Sequence, residues 1–174
     1  VVGLKPTYGL ISRFGLIAFG SSLDRIGPFA KNVKDAALTL EVIQGADDLD
    51  CTTYKKPIKE DYLSTIEDGI KGMKIGVPKE FFQEGLDSEV KDAMLKAMED
   101  LKELGATVEE ISLPITELGL PAYYIISSAE ASSNLARFDG IRYGYRAKDF
   151  ADVDELMLKS RSEAFGPEVK RRIM

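Results

Sequence analysis

Residues 73–113 follow a strand–helix–strand pattern that requires two strands joined by a helical crossover. Met73–Val77 is a short, mostly apolar run that predicts a strand, and Thr107–Leu113 is the predicted return strand, which Pro114 ends. Consecutive strands joined through a helix in this way run parallel. The pattern therefore predicts an α/β fold that contains one βαβ unit.

The helix of this unit has the clearest local signals in the chain. Asp87 is a candidate N-cap, and Gly105 follows the last predicted turn. Between them, apolar residues recur with the 3.6-residue period of an amphipathic helix. They are Val90, Ala93, Met94, Ala97, Leu101 and Leu104.

The residues before this unit predict a strand, irregular chain and a helix. Val1–Lys5 favours a strand and Pro6-Thr7-Tyr8-Gly9 a turn, whereas Leu10–Phe19 fits either short strands or irregular chain. Asn32 is a candidate N-cap for a helix that ends near Gly45.

The remaining segments are a polar connection and a largely helical last third. Residues 46–72 predict a long connection, with a turn at Lys55-Lys56-Pro57 and a short helix near Tyr62–Glu67. Asp152 and Glu155 resemble a capping box, in which the two side chains satisfy the first amides of a helix. The helices predicted in the last third cover residues 121–137, 153–165 and 167–174.

Composition excludes several classes of function. A net charge of −6 over 174 residues disfavours direct binding of nucleic acid, and no apolar run reaches the roughly 18 residues that span a bilayer. The absence of histidine excludes Ser-His and Cys-His catalysis and the commonest zinc sites. The single cysteine, Cys51, permits no intrachain disulfide and indicates a reducing compartment.

Three local patterns have structural rather than catalytic interpretations. No glycine-rich nucleotide fingerprint follows Val77, which disfavours a nucleotide site on the βαβ unit. The acidic residues within 47–50 lack the spacing of a calcium loop and predict a solvated acidic turn, with no metal site. Ser21 and Ser22 lie in a loop with Lys5 and Lys31 nearby in sequence, but nothing fixes the geometry of a lysine base, so we interpret the two serines as hydrogen-bonding residues.

Tyrosines and arginines are the candidate binding residues. Tyr123 and Tyr124 begin a predicted helix, and each offers an aromatic wall with a hydroxyl. Arg171 and Arg172 lie on the last predicted helix, and a guanidinium matches a carboxylate with two parallel hydrogen bonds. Taken alone, the basic run is also typical of a solvated helix C-terminus, where positive charge complements the helix dipole.

Several sequence blocks, in order, resemble the amidase-signature family of enzymes. The later blocks are similar to one branch of that family, the glutamine-hydrolysing subunits of tRNA-dependent amidotransferases. The matching blocks are Val1–Gly9, Ser21–Pro28, Val33–Ala37, Ser128–Gly144, Ser160–Gly166 and Glu168–Ile173.

The resemblance implies that residues 1–174 are a fragment of one amidase-signature domain, an α/β/α sandwich with a mixed central sheet. It implies a glutaminase that uses a Ser–cis-Ser–Lys triad, whose three residues are expected upstream of Val1. This chain is then expected to carry no catalytic residue and to be inactive alone. By family analogy Tyr123 and Arg172 bind the glutamine substrate, with Tyr124 and Arg171 as the alternatives.

The resemblance also implies partners and a location. The partners are the B and C subunits of the amidotransferase and glutamine, with tRNA bound mainly through the B subunit and no membrane. No cofactor is expected in this chain, whereas ATP and Mg²⁺ are expected in the partner subunit, and the location is cytoplasmic. Two other hypotheses remain: a non-catalytic binding or scaffolding module with an amidase-like fold, and a generic nucleotide-binding α/β protein.

Overall fold

A computed structural model describes residues 1–55 and 61–174, which divide into two compact units. Unit 1 combines Val1–Lys59 with Pro121–Met174, and unit 2 is Glu60–Leu120. The strands are β1 (Val2–Gly3), β2 (Phe29–Ala30), β3 (Lys74–Pro78) and β4 (Thr107–Ile111). The helices are α1 (Val33–Ile43), α2 (Ser88–Glu103), α3 (Gly119–Leu135), α4 (Val153–Ala164) and α5 (Pro167–Ile173). The predicted α/β class is confirmed.

Unit 2 contains the predicted βαβ arrangement. Strands β3 and β4 pair in parallel, from Lys74 opposite Thr107 to Pro78 opposite Ile111. Asp87 is the N-cap of α2, and its Oδ1 accepts a hydrogen bond from the Glu89 backbone N–H at 2.8 Å. Three of the predicted apolar positions of α2 line a groove together with β3. They are Met94, Ala97 and Leu101.

The return strand ends at Ile111, two residues before the predicted end. The Glu80 carboxylate accepts a hydrogen bond from the Leu113 backbone N–H at 2.9 Å and another from the Ser112 hydroxyl. These bonds lower the pKa of Glu80 below its ordinary value. Glu80 lies in a 3-10 helical turn, Lys79–Phe82, that the sequence did not predict.

The prediction of a short helix near Tyr62–Glu67 is wrong, because the segment forms turns. Asp61 Oδ1 accepts from the Ser64 backbone N–H at 3.0 Å, and the Ser64 hydroxyl donates to the Asp61 carbonyl at 2.8 Å. Side chains that bond the local backbone in this way compete with helix formation. The turn predicted at Lys55-Lys56-Pro57 extends into residues 56–60, which lie outside the described residues.

The first part of unit 1 is mostly irregular chain, held by one pair of short strands. The strand predicted at Val1–Lys5 shortens to β1, which pairs antiparallel with β2, a strand that the sequence did not predict. Leu10–Phe19 forms irregular chain rather than strands. Asn32 is the N-cap of α1, as predicted, and its side chain accepts from the Asp35 backbone N–H at 2.8 Å.

The last third is mostly helical, as predicted, with turns and irregular chain over residues 136–152. Helix α3 begins at Gly119, two residues before the predicted start. Asp152 accepts from the Glu155 backbone N–H at 2.8 Å, and the Glu155 carboxylate accepts from the Ala151 N–H at 2.6 Å, which confirms a variant of the capping box. The buried residues contributed by α3 and α4 are Ser127, Ala131, Asn134, Leu156 and Ser160. No helix within residues 1–55 and 61–174 is both long and apolar enough to cross a membrane.

Asp139 closes the turn after α3 and makes the stability of unit 1 sensitive to acid. Its Oδ1 accepts from the Ile141 and Arg142 backbone N–H groups at 2.9 and 3.0 Å, and Arg142 pairs with Oδ2. These contacts, the backbone bonds first, lower the pKa of Asp139 from 3.8 to about 2. Because the folded-state pKa lies below the unfolded value, this stabilisation is present above pH 4 and is lost as the pH falls towards 2.

The matched variant is Asp139→Asn, which keeps an oxygen for the two backbone bonds but carries no charge. We expect the parent chain to be more stable than the variant at pH 5, with the difference shrinking between pH 4 and 2. Urea unfolding followed by circular dichroism at several pH values measures this difference. A difference that stays constant across this range would contradict the assignment.

Candidate functional site

The two candidate arginines have different environments, although they are adjacent on α5. Glu168 forms an ion pair with both, contacting Arg171 and accepting from Arg172 Nε at 3.0 Å. The Arg171 side chain is 78% exposed and that of Arg172 is 39% exposed. The Arg172 guanidinium carbon lies 5.3 Å from the centre of the Phe19 ring, within the range of a cation–π contact. Arg172 is therefore the more fixed of the two.

The two candidate tyrosines lie in α3 and touch each other. Their ring centroids are 5.4 Å apart, and Tyr123 is 43% exposed against 58% for Tyr124. Within residues 1–55 and 61–174, no hydrogen bond, ion pair or ring contact joins either tyrosine to Arg171 or Arg172. The structure thus places the aromatic and cationic candidates in the same unit without direct contact between them.

The loop that carries Phe19 is held from both sides; we call residues 19–24 the Phe19 loop. The Asp24 carboxylate accepts from the Phe19 and Gly20 backbone N–H groups at 2.8 and 3.0 Å. Asn134 of α3, which is 7% exposed, donates from Nδ2 to the Phe19 carbonyl at 3.0 Å. The position of the Phe19 backbone is therefore fixed by one local and one distant side chain.

The serines of the Phe19 loop also bond α3. Ser21 Oγ lies 2.8 Å from Asn134 Nδ2, and the Ser22 hydroxyl donates to Glu130 Oε1 at 2.6 Å. The Ser22 backbone N–H donates to the second Glu130 oxygen at 3.0 Å, and both bonds lower the pKa of Glu130. The serine hydroxyls thus hold the loop, as the sequence interpretation proposed.

Arg13 connects the Phe19 loop to the rest of unit 1, a role that the sequence did not indicate. Its guanidinium donates to the Ser21 carbonyl at 2.6 Å and to the Tyr8 hydroxyl at 2.8 Å, and lies over the Tyr8 ring. The Arg13 backbone N–H donates to Asp50 at 2.7 Å, the first of the contacts that lower the pKa of Asp50 to about 2. Arg13, Ser21 and Asp50 line an open cleft of about 240 Å³.

The acidic residues near position 50 serve the local fold. Asp47 accepts from the Ser12 hydroxyl at 2.6 Å, and its carbonyl accepts from the Asp50 backbone N–H in a turn. Across residues 1–55 and 61–174, no three side chains of the metal-binding types come together. The Asp47 and Asp50 carboxylates are bonded to serine, threonine and backbone donors.

Sequence reasoning missed Phe19, Arg13, Glu130 and Asn134 as members of this network. The available signal was the concentration of polar residues in the second half of α3, between its apolar neighbours. Polar residues on a helix that carries buried positions need partners, because a buried unpaired polar group is costly. The pattern could have predicted that α3 bonds another segment, but not which one.

The chain is similar to proteins of one family over its whole length. The amidase family model matches residues 1–174. The glutamyl-tRNA(Gln) amidotransferase A subunit numbered 2 of Clostridium acetobutylicum is 72% identical over the whole chain, which spans 36% of that protein. The glutamyl-tRNA(Gln) amidotransferase A subunit of Alkaliphilus metalliredigens is 64% identical over 99% of this chain and 35% of its own length.

Solved structures agree with the sequence matches. The crystal structure of the glutamyl-tRNA(Gln) amidotransferase A subunit from Thermotoga maritima has a TM-score of 0.71 and 41% identity, over 98% of this chain and 32% of that one. The chain thus spans about a third of the length of the relatives that it matches. With a family model that covers every residue, the chain belongs to the amidase family.

Proposed function

We propose that this chain is part of the glutaminase subunit of a tRNA-dependent amidotransferase. That subunit would hydrolyse glutamine to ammonia for the conversion of Glu-tRNA(Gln) to Gln-tRNA(Gln). The observation that carries the proposal is 72% identity over all 174 residues to the A subunit numbered 2 of Clostridium acetobutylicum. In such a complex the B and C subunits are the partners, tRNA, ATP and Mg²⁺ bind mainly at the B subunit, and the location is cytoplasmic.

The proposed role of this chain is to supply one wall of the glutamine pocket. Arg172 would bind the α-carboxylate of glutamine, because its guanidinium is held by Phe19 and Glu168 at a partly buried position. Tyr123 would contact the substrate from α3 with its partly exposed ring. Arg171 is the weaker candidate because its side chain is twice as exposed and bonds only Glu168 among the described residues.

The proposed mechanism assigns the chemistry to residues outside this chain. A serine nucleophile, activated by a lysine through a second serine, would attack the side-chain amide and release ammonia. In this chain, Ser21 and Ser22 bond Asn134 and Glu130, and neither makes a hydrogen bond to a lysine among the described residues. The Ser22 hydroxyl donates a hydrogen bond to the Glu130 carboxylate. We interpret this bond as one that holds the Phe19 loop against α3, and not as activation of a serine nucleophile.

The test places this chain in a complete subunit. By the exchanged subunit we mean the full-length Clostridium acetobutylicum relative in which this chain replaces the matching segment. We expect the exchanged subunit, together with that relative's partner subunits, to hydrolyse glutamine and to amidate Glu-tRNA(Gln), whereas the chain alone releases no ammonia. Ammonia release and aminoacyl-tRNA analysis measure the two steps.

The control is the unmodified relative, assembled and assayed in the same way. A soluble exchanged subunit that lacks both activities would favour the scaffolding-module hypothesis. Glutamine hydrolysis by the chain alone would contradict the assignment of the catalytic residues.

A further inference from the structure

We propose that Phe19 is a positioning residue that orients the guanidinium of Arg172 for the carboxylate of the substrate. This inference rests on the proposed function, since it assumes that Arg172 binds glutamine. Phe19 lies far from Arg172 in the sequence, and its ring has no titratable or nucleophilic group. The contacts of Arg172 and of Phe19 support it separately.

Two contacts define the position of the Arg172 guanidinium. One face lies against the Phe19 ring, with the guanidinium carbon 5.3 Å from the ring centre, and Nε donates to Glu168 at 3.0 Å. The two terminal nitrogens make no hydrogen bond to a described residue. A planar group held at one face and at Nε keeps its terminal nitrogens available for a carboxylate.

Phe19 is itself held in place before any substrate arrives. Its backbone N–H donates to Asp24 at 2.8 Å, and its carbonyl accepts from the buried Asn134 at 3.0 Å. These two bonds fix the Phe19 backbone, and with it the point from which the ring extends towards Arg172. Binding energy is not spent on ordering the arginine, because a pre-arranged group loses less conformational freedom when it binds.

Glu168 alone cannot provide this orientation. It accepts one hydrogen bond from Arg172 and also contacts Arg171, and a single bond at Nε leaves the guanidinium free to rotate about that bond. The Phe19 ring adds a second point of contact, since a cation is attracted to the face of an aromatic ring. An aliphatic side chain at position 19 would keep an apolar contact but lose this attraction.

The experiment replaces Phe19 by leucine and by tyrosine in the exchanged subunit, together with its partner subunits. We expect Phe19→Leu to raise the KM for glutamine about three- to thirtyfold, the range that corresponds to a cation–π contact, with little change in kcat. Phe19→Tyr keeps an aromatic ring, and we expect its KM for glutamine to stay close to that of the parent. Steady-state ammonia release gives both constants.

A second substrate separates positioning from a general structural effect. Butyramide has the reacting primary amide but no α-carboxylate, so it cannot use Arg172. We expect kcat/KM for butyramide to be the same in the Phe19→Leu variant and the parent. A parallel loss with both substrates, or an unchanged KM for glutamine, would overturn the inference.

The design also distinguishes failure of the inference from failure of the proposed function. If the parent exchanged subunit does not hydrolyse glutamine, the proposed function fails. If the parent is active and Arg172→Lys raises the KM while Phe19→Leu does not, only the role of Phe19 fails. If Phe19→Leu raises the KM in the parent but has no further effect when Arg172 is lysine, the two residues act together, as proposed.

Discussion

Arg172→Lys in the exchanged subunit is expected to raise the KM for glutamine by about tenfold or more, because a two-pronged hydrogen bond becomes a single charged contact. A lysine also loses the planar group that lies on the Phe19 ring. The α-carboxylate is remote from the reacting amide, so its binding changes little between ground state and transition state. We therefore expect kcat to stay within about twofold of the parent value.

The neighbouring residue provides the matched control for this variant. Arg171→Lys makes the same chemical change one position earlier on α5, in a side chain that is 78% exposed. Both arginines contact Glu168, so any change in that ion pair is common to the two variants. We expect the KM of Arg171→Lys to match the parent. Equal effects of the two variants, or an effect of Arg171→Lys alone, would contradict the assignment of Arg172.

Gly140→Ala is expected to destabilise the chain by about 2–5 kcal/mol, the sum of backbone strain and overpacking. Gly140 has a φ of 79°, in the region where a side chain is strained. An added Cβ would lie 2.7 Å from the Ser160 Cβ, and Ser160 is 1% exposed. The Ser160 hydroxyl accepts from the Ala147 backbone N–H at 3.0 Å, so a shift of Ser160 also breaks a buried hydrogen bond.

A second glycine separates the two causes of this loss. Gly15 has a φ of 84°, but among the described residues beyond its chain neighbours no heavy atom lies within 4 Å of a Cβ added there. Gly15→Ala should therefore cost only the backbone strain, about 1–2 kcal/mol. Urea unfolding of the parent and both variants measures the two losses. Equal losses would show that packing against Ser160 contributes nothing.

The elements that could be predicted from the sequence are those whose signals are local. The N-caps Asn32, Asp87 and Asp152 each bond an amide two or three residues away, so their effect is contained in a few consecutive residues. The parallel pairing of β3 with β4 follows from the helix between them. Strand β2 could not be predicted, because a strand of two residues exists only through its partner β1.

In the candidate site, too, local sequence patterns predict some residues, whereas others depend on contacts between distant segments. The sequence identified Arg171 and Arg172 as candidates, since both lie on one short helix with Glu168. Arg172 alone of the two lies over the Phe19 ring among the described residues, and no local pattern connects Phe19 to α5. The Phe19 loop itself depends on Asn134 and Glu130, whose partners are defined only when α3 has packed.

The division of the chain into units has a consequence for its synthesis. Unit 2 is one continuous stretch, whereas unit 1 combines Val1–Lys59 with Pro121–Met174. On a ribosome, the contacts within unit 2 can form once residue 120 has emerged, but the Phe19 loop must wait for Glu130 and Asn134. We therefore expect the Phe19 loop of a nascent chain to remain open to protease until α3 has been translated.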